Sequence, residues 1–381
     1  MILFWYAVLT TIFWIVISIY LQINRPKIKF LSELPDLPSN PEPAVAIIIA
    51  VRNEEADLQQ ALQSVCQLNY PNSRIVVVND RSTDRTPEIL REFSRLYPKI
   101  SVLNVEKLPP GWLGKNHALY SGYAATSEEW MLFTDADVVF APDTLQKAMG
   151  YALQHRLDFL TMLPEIKSRS AVLVSVMATF KLMLELKLRP WDARKPKSIA
   201  YFGVGAFNLV KRQAYEQAGT HRPIALRPDD DLKLGELLKK AGFRLDVVYG
   251  DKQIELEWYT GIGEFIKGLM KNTFAVSNYS LLFAIGAASA TMAAFLLPFP
   301  LLVLLGNAPE RWMALIIFLF QLPLYLPRKS MAGKWWDVLM VPVAGLLIVY
   351  VILKSTYLTL KQGGIYWRDT FYPLSELRKN K

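Results

Sequence analysis

The chain has 381 residues, of which 52% are hydrophobic and 20% charged, and its net charge is +9. That length allows one large domain and a further part, and the charged fraction excludes a wholly intramembrane protein. Lys and Arg are spread along the chain and cluster beside apolar segments, as at Arg25, Lys27 and Lys29, which favours an anionic membrane surface over nucleic acid as the partner. The single cysteine, Cys66, can form no internal disulfide. This fits a reducing compartment, and a small buried hydrophobe is its better reading.

Residues 1–23 carry no charged side chain and are long enough to cross a bilayer as a helix, so they are expected to form a transmembrane anchor. The basic residues follow this run, and no Ala-x-Ala-like site precedes them. Both points argue against a secretory signal peptide and place the next segment in the cytosol. Residues 24–43, with four prolines between Leu34 and Pro43, read as a stiff connector.

From Ala44 the pattern changes. Strands are expected at Ala44–Val51, Arg74–Asn79, Ile100–Val105 and Trp130–Thr134, alternating with helices at Glu54–Leu68, Thr86–Tyr97 and Lys115–Ala125. This alternation predicts an α/β domain with a mostly parallel sheet and helices on both faces, whose ligands bind beyond the carboxyl ends of the strands. The segments that follow the strands are polar: Arg52-Asn53-Glu54-Glu55, then Asp80-Arg81-Ser82-Thr83-Asp84, then Asp135-Ala136-Asp137. Asn53 and Asp84 suit helix caps. Asp80, immediately past a strand, suits a ligand, since a carboxylate there accepts hydrogen bonds from a base or ribose. Asp135 and Asp137, two apart in extended backbone, share one face. They are either a site for a hard divalent cation that also carries substrate phosphates or an acidic turn that caps the next helix. Between Leu108 and Asn116 a glycine-rich turn with Lys115 suits phosphate. Its spacing is not that of a Walker loop, and Gly203-Val204-Gly205 lacks the third glycine of a dinucleotide fingerprint.

Taken together, Ile47 to Glu55, Val76 to Asp84 and Thr134 to Asp137 resemble, in order, the motifs of the family 2 glycosyltransferases. The resemblance covers about Ala44 to Ala275 and is strongest up to Pro142. It implies a GT-A (Rossmann-like) nucleotide-sugar-binding domain over residues 44–276. In that family Asn53, Glu54, Asp80 and Lys115 would serve the nucleotide-sugar. Asp135 and Asp137 would bracket its diphosphate through Mg²⁺ or Mn²⁺, where a metal acts as a Lewis acid on the leaving group. The donor is expected to be a UDP- or GDP-sugar.

Asp229-Asp230-Asp231 opens a helix that runs to Lys240. Acids at a helix start favour the macrodipole and one can cap it. The family places its acidic pair here, which implies Asp231 as the base of an inverting displacement with Asp230 beside it. Gly203 to Arg212 resembles the strand before the family's acceptor site, where glycine lets backbone approach the sugar, so Gly205 is an acceptor candidate. The Q-x-x-R-W signature of the family's polysaccharide synthases is missing; the region reads Glu257-Trp258-Tyr259. Trp258 either stacks on acceptor or substrate or is a core aromatic. Val172–Pro190, apolar with Lys181, Lys187 and Arg189, is either an interfacial segment that guides a lipid acceptor or a packed helix with solvated charges. His117, His155 and His221 have no metal-ligand spacing.

Three more apolar stretches, Leu281–Leu305, Trp312–Leu326 and Val338–Leu360, predict a transmembrane helical region over 277–360, followed by a basic tail over 361–381. The loop with Arg328, Lys329 and Lys334 is expected to be cytosolic. Three full crossings would then put Lys361, Arg368, Arg378 and Lys379 outside, against the positive-inside rule, so one stretch is expected to be re-entrant or interfacial or the count to differ. The expected protein is an integral membrane enzyme of the cell membrane with a cytosolic catalytic domain. It would move one sugar from a nucleotide-sugar to a membrane lipid or polyisoprenoid-like acceptor. The alternatives are a processive polysaccharide synthase, disfavoured by the missing signature, and a non-catalytic membrane scaffold that keeps a nucleotide-binding domain.

Overall fold

The computed structural model describes residues 1–34, 42–168, 170–326, 334–367 and 370–378. Most of the proline-rich connector, Arg328 and Lys329 of the expected cytosolic loop, and Arg368 and Lys379 of the tail lie outside the described residues.

The strands are β1 (Lys29–Phe30), β2 (Val45–Val51), β3 (Ser73–Asp80), β4 (Ile100–Val105), β5 (Trp130–Thr134), β6 (Val139–Phe140), β7 (Phe159–Ile166), β8 (Asn208–Lys211), β9 (Leu245–Leu256), β10 (Gly364–Trp367) and β11 (Thr370–Pro373). Nine of them form one sheet in the order β1-β9-β7-β8-β5-β2-β3-β4, with β6 added on β9. The pairs β5–β2, β2–β3, β3–β4, β7–β9 and β1–β9 are parallel, and β8 is antiparallel to both its neighbours. Side chains alternate across the strands. Val45, Ile47 and Ile49 enter one core with Trp130 and Leu132, while Ala46 and Ile48 enter the opposite core with Met131 and Phe133. A sheet buried on both faces explains why its central strands read as unbroken apolar runs.

Helices α1 (Ile2–Asn24), α2 (Leu58–Cys66), α3 (Thr86–Leu96), α4 (Gly114–Ala124), α5 (Thr144–Gln154), α6 (Ala171–Leu188), α7 (Arg212–Gln217), α8 (Asp230–Lys240) and α9 (Ile262–Val276) accompany the sheet. They are followed by α10 (Leu281–Thr291), α11 (Pro298–Leu304), α12 (Ala308–Tyr325), α13 (Val341–Gln362) and α14 (Leu374–Leu377). α2 starts four residues later than the sequence pattern suggests. Asn53 is left-handed (φ 54°), and its loop bonds to the loop after β3 instead of continuing into helix.

Two helical stretches, Ile2–Lys27 and Trp335–Gln362, are long and apolar enough to cross a membrane, or three if the bent pair Leu281–Leu296 and Pro298–Leu304 is one span. On α1 the exposed residues Ile2, Trp5, Leu9, Ile12, Val16, Ile19 and Ile23 form one stripe, spaced three and four apart as a helix face requires. The other face meets α12 and a π turn at Met292–Leu296. A π turn leaves carbonyls without their usual i+4 partner, and two are taken up by α1: Tyr6 Oη donates to Ala293 O (2.7 Å) and Trp14 Nε1 to Ala294 O (2.9 Å). Just beyond it, Pro298 cannot continue the ladder, and the axis bends by 46°.

Two sequence expectations change here. The connector is not free over its first part, because β1 pairs with β9 and Phe30 stacks on Tyr249 at 4.9 Å. Arg25, placed just after α1, is buried and bonded to Glu185 of α6 through Nε (2.7 Å) and to Leu324 O of α12 (3.1 Å). Removing one partner of such a pair costs ~3–5 kcal/mol, so anchor and sheet domain are tied where they meet. The tail, for its part, is not an isolated basic segment. β10 and β11 form a hairpin, Arg378 Nη2 donates to Tyr279 O (3.2 Å), and the hairpin faces Arg81 at the end of β3. It therefore lies against the sheet domain, and the stretch 281–304 is bent by 46° instead of forming one straight helix. α13 carries one exposed stripe, including Val343, Leu346, Tyr350 and Leu353, and buries Ala344 and Val351 against α6 and α9.

Candidate active site

β5 lies in the middle of the sheet with every residue buried. Past its end the burial alternates: Asp135 and Asp137 are partly exposed while Ala136 and Val138 are buried. Ala136 and Asp137 form a turn, so the extended backbone expected for the pair is not found, and it is the turn that sets Asp137 within reach of the charge of Asp135. The strand end is fixed by Thr134 Oγ1 donating to Ala206 O (2.8 Å) and Asp135 N donating to Gly205 O (3.0 Å).

Gly205 also donates its N–H to Asp231 Oδ2 (2.9 Å). One residue thus joins the end of β5 to the acids of α8. A Cβ on residue 205 would lie 2.3 Å from Asp135 Oδ2, so any larger residue would displace that carboxylate. α8 is brought equally close: a Cβ at Gly203 would lie 2.0 Å from Asp231 O, and one at Gly235 2.1 Å from Phe202 O.

The three acids at the start of α8 have different partners. Asp229 forms a buried bidentate pair with Arg227 at 2.8 Å for each bond. Asp230 is buried with its Oδ2 3.9 Å from Lys115 Nζ. Asp231 accepts from Gly205 N and from its neighbour Leu232 N (2.8 Å). The segment before α8 is held to α4 by Asn116, whose Nδ2 donates to Ile224 O, Ala225 O and Arg227 O at 2.9–3.1 Å. Arg227 and Asn116 escaped the sequence reading. Their only signal was position, one beside the acids and the other beside Lys115.

Lys115 Nζ lies 2.6 Å from Asp135 Oδ1. Burial would lower its pKa, but Asp135, Asp230 and Asp231 outweigh it and hold the ammonium above its ordinary range. Burial pushes the Asp137 carboxyl up to about 7, with the charges of Asp135 and Glu54 adding to it. Asp230 is likewise raised to about 7 by burial and by Asp231 and Asp135, against the opposing pull of Lys115. Asp231 is raised mainly by burial. The centre therefore has more carboxylates than cations. Among the described residues no three His, Cys, Asp or Glu side chains converge on a metal site. Two carboxylates are nonetheless the protein share of a Mg²⁺-type site completed by substrate phosphates, and the excess negative charge at Asp135 and Asp137 fits such a cation.

The β2–β3 part of the rim is different. Asn53 Oδ1 accepts from Thr83 N (2.8 Å), Ser82 Oγ from Asn53 N (3.0 Å), Thr86 Oγ1 from Glu54 N (2.9 Å) and Asp84 Oδ2 from Glu55 N (3.1 Å). Asn53 thus straps two loops together and does not cap α2. Asp80, 3% exposed, places both oxygens on Arg81 at 2.8 and 3.1 Å, so a ligand arriving there meets Arg81 first. Trp258 is half-exposed and stacks on Tyr259 at 5.2 Å, beside Phe180 of α6. The Tyr259 phenol is pushed up to about 12 by burial and by the charge of Asp137, which ties this aromatic pair to the Asp137 side of the site. His221 is buried against Tyr215.

A mostly parallel sheet whose central strand ends in D-x-D, faced by an acidic helix start, is a GT-A-like core with long apolar helices at either end of the chain. Residues 46–219, just under half of the chain, match the family "Glycosyl transferase family 2". The chain is 28% identical over 194 residues to a beta-monoglucosyldiacylglycerol synthase of Nostoc sp., a match that covers 50% of this chain and 40% of that one. It is 30% identical over 173 residues to a poly-beta-1,6-N-acetyl-D-glucosamine synthase of Staphylococcus epidermidis, covering 45% and 40%. The chain thus matches less than half the length of these relatives. Among solved structures it resembles the mannosyltransferase PcManGT from Pyrobaculum calidifontis in complex with GDP-Man and Mn²⁺, with a TM-score of 0.59 and 18% identity over 93% of this chain and 99% of that one. The likeness in fold therefore extends past the sheet domain into the apolar helices.

Proposed function

We propose that the protein is a metal-dependent, inverting glycosyltransferase that moves a single sugar from a nucleotide-sugar to a lipid hydroxyl, with its catalytic domain on the cytosolic face of the cell membrane. The observation that carries this reading is the junction at Gly205, which brings a D-x-D and a second acid to one glycine. Asp135 and Asp137 would hold Mg²⁺ or Mn²⁺, which supplies Lewis-acid stabilisation of the leaving diphosphate. Lys115 is placed to neutralise charge that grows on the same oxygens. Asp231, oriented by two backbone N–H groups, takes the proton of the acceptor hydroxyl, and the acceptor's oxygen forms the new bond to the anomeric carbon as the bond to the diphosphate breaks. Burial raises the affinity of Asp231 for that proton. Asn53, Glu54 and Asp80 serve the donor from the β2–β3 rim, Asn53 indirectly as a strap. Gly205 and Trp258 lie on the acceptor side.

A lipid acceptor is supported by the exposed apolar stripes, which leave the sheet domain beside a bilayer, and by the similarity to a monoglucosyldiacylglycerol synthase. The GDP-Man and Mn²⁺ in complex with the mannosyltransferase of like fold support a nucleotide-sugar and a divalent cation. The cytosolic side is supported by Arg25, Lys27 and Lys29 directly after α1. In the decisive experiment, Asp231→Asn is assayed in membranes with candidate donors while the lipids are read by mass spectrometry. Loss of a singly glycosylated lipid with donor binding retained is expected. Full turnover by this variant removes the base assignment, and a polymer product replaces the reading with a processive synthase.

A further inference from the structure

The space among Lys115, Asp135, Asp230 and Asp231 is only about 10 Å³, too small for any part of a nucleoside. Next to it lies an open cleft of about 1150 Å³, above the ~300–1,000 Å³ that small-molecule sites usually occupy. One wall is Trp112 and Arg222. They are fixed by Tyr120, whose ring is 5.1 Å from that of Trp112 and whose hydroxyl accepts from Arg222 Nη2 (2.7 Å). The floor is Arg81 at the end of β3. The C-terminal hairpin lines the cleft through Phe371 and Tyr372.

We propose that the C-terminal hairpin is a working wall of the donor site, closing the cleft over the base and ribose. The inference rests on the reading of the protein as a nucleotide-sugar-dependent transferase. Three observations carry it. The first is continuity: Trp112 in the cleft precedes Lys115 in the acid centre by three residues, and a Cβ at Gly114 between them would lie 2.2 Å from Asp80 Oδ2. A nucleoside beside Trp112 therefore has its phosphates next to Lys115. The second is charge. Arg81 is paired with Asp80, while Glu106 and Glu376 lie in the cleft with Lys107 and Arg222. A balanced lining with acceptors suits ribose hydroxyls and base N–H groups and leaves the diphosphate to Lys115 and the metal. The third is the ring of Phe371, 40% exposed and facing the same cleft as Trp112, as a stacking surface requires. The hairpin follows α13 directly, through Gly363 at φ 69° and a bond from Leu374 N to Gly363 O (2.7 Å). The donor site is thus completed by a segment mounted on a helix apolar enough to cross the membrane.

The test is titration of the full chain in nanodiscs with UDP and with GDP, each with Mn²⁺, for the wild type, Phe371→Ala, Phe371→Tyr and Glu376→Ala. Phe371→Ala is expected to weaken binding of the preferred nucleotide about tenfold, the effect of losing one base–aromatic stack. Phe371→Tyr should restore it. The donor KM should rise by the same factor with kcat within about twofold, and the melting temperature should stay put because the side chain is exposed. Wild-type binding with Phe371→Ala and Glu376→Ala unaffected overturns the hairpin's role and leaves the transferase reading standing. Failure of the wild type to bind either nucleotide overturns both.

Discussion

The two halves of the sheet's carboxyl rim use the same kinds of residue to opposite ends. Between β2 and β3, Asn53, Glu55, Asp84 and Ser82 meet backbone N–H groups of the facing loop, and Asp80 meets Arg81. Each polar group has a partner within the wall. Between β5 and α8, four carboxylates share one lysine, and burial with mutual repulsion raises Asp137 and Asp230 to about 7. The first half is finished by folding, whereas the second is left electrostatically incomplete. Pre-set charge that waits for a ligand is what a reaction at a diphosphate uses, and that contrast separates scaffold from chemistry within one ring of polar residues.

The sharpest way to break the contrast is Asp137→Ala. On the incomplete half, transfer should fall at least ~10³-fold, the order of a metal's contribution to charge stabilisation, and a chelator should reduce the wild type alike. Without metal, the melting temperature should not fall, because the substitution removes a buried charge repelled by Asp135 and Glu54. A variant that melts early and still turns over would make Asp137 a structural acid. Next in size is Gly205→Ala. The new Cβ would press on Asp135 Oδ2 from 2.3 Å and disturb the bond to Asp231, so kcat should drop ~10²-fold, as for displacements of about 1 Å. Unchanged kcat would mean that the joint is not used.

The ends of β4 and β5 and the extent of α8 were legible in the sequence, because apolar runs bounded by polar residues leave little choice of register. The separate fates of Asp229, Asp230 and Asp231 were not legible. They depend on Arg227, Lys115 and Gly205 arriving from elsewhere in the chain, and no local pattern encodes such pairings. Asn53 misled for a related reason: an Asn before an acidic helical pattern reads as a cap, and only tertiary contact with Thr83 shows the side chain turned to another loop. The hairpin was hidden because a short basic tail gives no sign that it folds back onto Arg81.

A smaller effect concerns stability. His221 is buried, its Nδ1 2.5 Å from Tyr215 Oη, and burial with the charge of Lys115 lowers its pKa to about 3. Below pH 6.5 the unfolded chain binds a proton that the folded chain refuses, so stability falls with pH at up to ~1.4 kcal/mol per unit. Asp137 and Asp230 act in the reverse sense. Between about pH 4 and 7 the folded state holds protons that the unfolded state releases, so they gain stability on acidification and offset part of the slope. Chemical denaturation of His221→Gln at pH 7 and pH 5 isolates the histidine. The deficit of the variant relative to the wild type should shrink by about 1–2 kcal/mol at the lower pH, and a constant deficit would mean that His221 takes up its proton equally in the folded and unfolded states.

The finished half should respond least, and Asn53 tests it. Asn53→Ala loses the bond to Thr83 N and leaves a β-carbon at φ 54°, so the domain should lose ~1–2 kcal/mol. Asn53→Gly loses the same bond but suits that backbone and should lose less. In both variants the donor KM should change less than about threefold, because the side chain spends its acceptor on a loop. A KM raised tenfold in both, with stability unaltered, would turn Asn53 from a strap into a ligand contact. The two halves of the rim would then differ in charge alone, and no longer in whether folding has already used their polar groups.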